Sequence, residues 1–90
     1  MTFPGKRFSN ALKASGKTQD DAAYEMGISP SKLSRYLTQK LPLSVDLAKR
    51  FSVYFGVDFL TIISEQAEYE LQSLPAESFT LIKPLSDKNE

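Results

Sequence analysis

The 90-residue chain has no cysteine and no histidine. Without cysteine there is no disulfide and no thiolate metal site, and without histidine the commonest general base and metal ligand is gone. No run of eighteen apolar residues occurs, so no segment reads as a membrane span. The opening MTFPGKRFSNALKASGKT lacks the apolar centre of a signal peptide. A cytoplasmic protein with no membrane association is therefore expected. Ninety residues bury one modest core and leave little room for a separate catalytic domain. Enzyme activity, a metal and a cofactor are not expected.

Net charge is also lacking, but only on average. Residues 1–56 hold nine Lys or Arg against four acids, a net of +5, whereas residues 57–90 hold two bases against seven acids, a net of −5. A positive half suits phosphates, and a negative half suits either solvent or a basic protein partner.

The chain is organised around Gln19 to Tyr36, QDDAAYEMGISPSKLSRY. Ala22, Ala23 and Met26 share one face of a short helix that Gly27 ends, where a left-handed residue costs glycine nothing. Ser29 and Pro30 open a second helix, Ser29 as N-cap and Pro30 at the first position, where its missing N–H has no partner to lose. Leu33, Tyr36 and Leu37 supply the apolar face of that helix, Ala23 allows a close helix crossing, and Ile28 plugs the corner.

The spacing of Gln19, Ala23, Gly27, Ile28, Ser29, Leu33, Ser34 and Tyr36 resembles the helix-turn-helix of the Cro and lambda-repressor (XRE) superfamily. The resemblance implies an all-α, compact five-helix DNA-binding domain over residues 1–63, with a C-terminal extension over 64–90 that contacts a dimer mate or other partner.

Around the motif, a first helix is expected from Lys6 to Ala14 with Phe8, Ala11 and Leu12 inward, stopped at Ser15-Gly16. Thr18 caps the second helix and forms a weak capping box with Asp21. Asp20 and Asp21 read as first-turn charges rather than catalytic acids. After the loop Thr38 to Leu43, where relatives often carry glycine near Gln39, Ser44 caps a fourth helix ending near Phe55. Leu47, Ala48, Phe51 and Phe55 lie at helical spacing there, with Phe51 and Phe55 as filler beneath the two central helices. Asp58 caps a fifth helix carrying Ile62, Ile63 and Gln66 and reaching toward Leu71.

From Gly56 the run GVDFLTIISEQAEYEL is similar to the segment after the domain in HigA-type antitoxins, at Gly56, Gln66, Ala67, Tyr69 and Leu71 with Glu70 as an acidic match. Pro4-Gly5 resembles that subfamily's opening. Ile62 and Glu65 depart from it, standing where it has tryptophan and leucine. This resemblance implies a toxin protein as partner, and Glu65 to Glu70 reads equally as a solvated face or a toxin-binding surface. Leu74-Pro75 breaks the fifth helix, and residues 76–85 read as a short helix or a strand that packs across a homodimer or on its own domain. Ser86 to Glu90 is polar and reads as a frayed end.

With Leu33, Tyr36 and Leu37 inward, Ser31, Lys32, Ser34 and Arg35 face out from a helix that enters the major groove of double-stranded DNA in this motif. Arg35 is the foremost base-reading candidate, because its planar fork suits guanine O6 and N7. A surface arginine paired with a neighbouring acid is the plainer alternative. Lys17, Thr18, Gln19, Ser29 and Lys40 are the phosphate-contact candidates, the free N–H groups of the second helix aiding Gln19. A repressor dimer on a palindromic operator is the expected function, with a HigA-like antitoxin that autorepresses its operon as the alternative.

Overall fold

Hydroxyl, carboxylate and glycine punctuation decides where each helix starts and stops in the computed structural model, which describes residues 3–85. Helices α1 (Lys6–Ser15), α2 (Gln19–Met26), α3 (Pro30–Leu37), α4 (Val45–Phe55) and α5 (Phe59–Gln72) are followed by a single 3-10 turn at Ala76–Ser78. Thr18, Ser29, Ser44 and Asp58 each accept a hydrogen bond from the backbone N–H three residues on, at 3.0–3.1 Å. Each such cap is worth about 1 kcal/mol. Of the expected capping box only the Thr18 half forms, since the short Asp21 side chain does not reach back. The frayed end expected at Ser86 to Glu90 lies outside the described residues.

The turn between α2 and α3 closes as a Schellman motif. Gly27, at φ 77°, donates its N–H to the Tyr24 carbonyl at 3.1 Å, and Ile28 donates to the Ala23 carbonyl at 2.9 Å. Those bonds occupy two carbonyls that the helix end would otherwise leave open. Ile28 packs half-buried against the core below.

Both central helices bury small or apolar faces. Ala22, Ala23, Leu33, Leu47, Ala48 and Phe51 are completely covered, joined by Phe8, Leu12, Met26, Tyr36 and Ile62. Phe51 is the hub, with ring centroids 4.7 Å from Phe8 and 5.1 Å from Tyr36. Phe55 is half-buried and packs against the core from the rim, on Phe8, Phe51 and Tyr54, so of the two phenylalanines Phe51 is the central one.

Ala11 departs from expectation, for it is exposed. Phe8 and Leu12, one turn apart, carry the inner stripe of α1, and Ala11 falls beside it, lining a shallow hollow with Tyr54 and Phe55.

Helix α5 runs without a break through positions 63 and 64. One turn beyond, Gln66 is buried at 8% exposure and accepts a hydrogen bond from the Tyr36 hydroxyl at 3.0 Å, while its amide donates to Glu70 at 2.8 Å. Among the described residues no buried side-chain polar atom lacks a partner. Beyond Gln72 no strand forms among the described residues, and the extension does not fold back. Phe79 is half exposed and Leu81 is 92% exposed.

Candidate functional site

Helix α3 presents the outer face on which the candidate base readers lie. Ser31 and Arg35 are exposed, one turn apart, with Lys32 and Ser34 half-buried on either side of them. Its first turn contains no acid. Among the described residues no acid pairs with the Arg35 guanidinium, so the plainer alternative of a locally paired arginine does not describe this structure.

The phosphate-contact candidates divide. Thr18 and Ser29 are engaged as N-caps, each accepting a backbone N–H and keeping its own O–H to donate. Gln19 is exposed at the first position of α2, but Asp20 and Asp21 follow it in the same turn, so the chain's own carboxylates already answer that helix dipole. Lys17 donates to Glu25 at 3.0 Å. Lys40 is exposed, and its backbone N–H closes the end of α3 by donating to the Arg35 carbonyl at 2.7 Å. Thus Lys40 stands beyond the C-terminal end of α3 while Lys17 stands before α2, bracketing the motif along the chain.

Two side chains whose long-range partners the sequence does not announce pin the chain on either side of α3. Arg50, on α4, donates through Nη1 to the Met26 carbonyl and through Nε to Asp46, both at 2.9 Å. It thereby ties the end of α2 to α4 just where the chain turns. A Cβ added at Gly27 would stand 3.0 Å from that guanidinium, which would have to give slightly, while the φ of 77° is what favours glycine there. The Arg50 hydrogen bond, ahead of its charge and that of Lys32, holds the Asp46 carboxyl below its ordinary pKa. Glu25 is likewise held low, first by the hydrogen bond from Tyr54 and then by that from Lys17. Asp46 and Arg50, four apart on one helix, announce an ion pair, but nothing in that spacing points to the distant carbonyl.

Gln39 is the second. It takes φ 67°, the left-handed conformation that suits glycine, and accepts a hydrogen bond from Tyr69 of α5 at 2.8 Å. Phe3 packs between Tyr36 and Tyr69, 5.4 Å from each ring, tilted on the first and edge-on to the second. The chain is thus fastened to α4 just before the turn into α3 and to α5 just after α3 ends.

The model of the helix-turn-helix family matches residues 9–62, more than half of the chain. The chain belongs to the helix-turn-helix family of Cro and lambda-repressor type. As a member of this helix-turn-helix family it is a DNA-binding transcription regulator, and the match spans the caps, the glycine turn and the outer face of α3 described above. No curated protein matches the chain significantly. No helix among the described residues is long and apolar enough to cross a membrane.

Proposed function

We propose that this regulator is a cytoplasmic, sequence-specific repressor that binds a palindromic operator as a dimer. The observation that carries the reading is the outer face of α3, which Ser31, Lys32, Ser34 and Arg35 line from the first turn to the last, with the Arg35 guanidinium unpaired among the described residues. In this motif the second helix lies in the major groove, and a bidentate arginine on guanine is worth about 1–3 kcal/mol of discrimination. Thr18, Gln19, Ser29, Lys17 and Lys40 position the domain on the backbone, with Lys17 exchanging Glu25 for a phosphate. Selecting preferred sites from a random library tests the reading. Arg35→Ala is expected to relax one base pair symmetrically in both half-sites, about 10 base pairs or a multiple of that from centre to centre, and to leave non-specific binding nearly unchanged. An unchanged consensus would remove Arg35 as a base reader.

A second reading, a HigA-like antitoxin that also represses its own operon, is favoured by the run from Leu71 to Leu85, where Leu71, Leu74, Phe79, Leu81, Ile82 and Leu85 are all exposed. Gln66 and Tyr69, two of the residues that carry the resemblance, are occupied inside this chain by Tyr36 and Gln39. That leaves the toxin to the run itself. A stable complex with a small basic protein encoded beside this gene would favour this reading; its absence leaves the plain repressor.

A further inference from the structure

We propose that Lys6, Asn10 and Lys13 form a second phosphate-binding track on α1, which takes the backbone of duplex DNA beside the site faced by α3; it rests on the DNA-binding reading above. The three residues are spaced i, i+4, i+7 and so share one helix face. With Ser9 they line a hollow of about 380 Å³ whose other walls are Phe3 and, at the C-terminal end of α3, Leu37 and Gln39. The hollow thus adjoins the helix that carries Arg35.

Charge separates this hollow from the groove between α2 and α4. That groove, about 370 Å³, is lined by Lys49 and Arg50 but also by Glu25 and Asp46, so its charges cancel. No acid lines the α1 hollow, and Glu65, which shares the adjoining hollow with Lys6 and Asn10, is bonded to Arg7. The ion pairs among the described residues join Arg7 to Glu65, Lys17 to Glu25 and Arg50 to Asp46. Lys6 and Lys13 have no such partner, although both are exposed. Two unneutralised ammonium groups in a polar hollow raise the local potential and draw an anion. Seven residues of helix separate them by about 10 Å, so they reach different phosphates of one strand rather than sharing one. Asn10 between them adds an amide donor. Gln39 closes the far wall in a fixed pose, its side-chain carbonyl taken by Tyr69 and its amide N–H groups left to donate.

The test is a salt titration of a random-sequence duplex with the wild type, Lys6→Gln/Lys13→Gln and Lys6→Arg/Lys13→Arg. For the glutamine variant the slope of log affinity on log salt is expected to be shallower by about 2. A fourfold rise in salt then costs the wild type roughly tenfold more affinity than it costs this variant. The arginine variant should keep the wild-type slope, and its retention shows that the charge rather than the fold was removed. The site preferred in a random library should be the same for all three. A glutamine-variant slope within about 0.5 of the wild type, or an arginine variant that fails to restore it, overturns the track while leaving the regulator reading intact. A wild type that binds no duplex at any salt would instead fail that reading.

Discussion

Phe51 and Leu81 show that apolar character alone does not buy burial. Phe51 is completely covered, at the meeting point of Phe8, Tyr36 and Phe55, whereas Leu81 is 92% exposed in a segment that also carries Leu74, Phe79, Ile82 and Leu85. The difference lies in spacing. Leu47, Ala48 and Phe51 recur at intervals that place them on one side of α4, so each successive contact adds to the same face. The extension is interrupted by Pro75 and Pro84 and forms only one 3-10 turn among its described residues, so its apolar side chains never share a face long enough to cover one another.

The comparison is broken most severely by truncating both sides of it. Phe51→Ala is expected to cost about 3–5 kcal/mol in denaturant unfolding, and Phe79→Ala less than about 0.5 kcal/mol in the dilute chain. Should Phe79→Ala become costly only as protein concentration rises, the extension is buried between copies; an equally large cost at every concentration would mean that it packs on its own domain after all.

A smaller effect probes the polar part of the body. Burial first, and the Glu70 carboxylate second, push the Tyr36 hydroxyl up to about 12. Because the fold favours the protonated phenol, its contribution is complete below pH 10 and is lost as pH rises toward 12. Tyr36→Phe should lose about 0.5–1.5 kcal/mol at neutral pH with the Gln66 bond, and should decline less steeply than the wild type between pH 10 and 12. Tyr54, also pushed up to about 12 by its hydrogen bond to Glu25, supplies the decline that persists. Parallel stability curves for wild type and Tyr36→Phe would refute the assignment.

The smallest effect separates backbone from side chain at Gln39. Both Gln39→Ala and Gln39→Gly remove the Tyr69 bond, but only glycine relieves the left-handed backbone, so the glycine variant should be the more stable of the two by about 1 kcal/mol. Equal melting would show that the loop relaxes its φ at no cost.

These contrasts also mark what the sequence makes legible. Gly27, Ser29, Pro30, Ser44 and Asp58 act within four residues of themselves, so the helix boundaries follow from local chemistry. The apolar stripe of α4 is legible by period, and so is the outer face of α3. Ala11 misleads because an alanine beside a two-residue stripe fits the pattern whether or not anything covers it. Arg50 on the Met26 carbonyl and Gln39 on Tyr69 were illegible for another reason. Their partners lie 24 and 30 residues away, and which polar groups meet depends on how the helices cross.

The Tyr36–Gln66 bond has one mechanical consequence. Tyr36 and Arg35 are neighbours on α3, so a roll of that helix about its axis moves both. With the phenol oxygen standing roughly 8 Å from the axis, a roll of about 20° would carry it nearly 3 Å sideways and out of hydrogen-bond range. The bond is thus an angular stop set from inside the protein, and the compass bearing of the arginine on the outer surface is held by a glutamine two helices further along the chain.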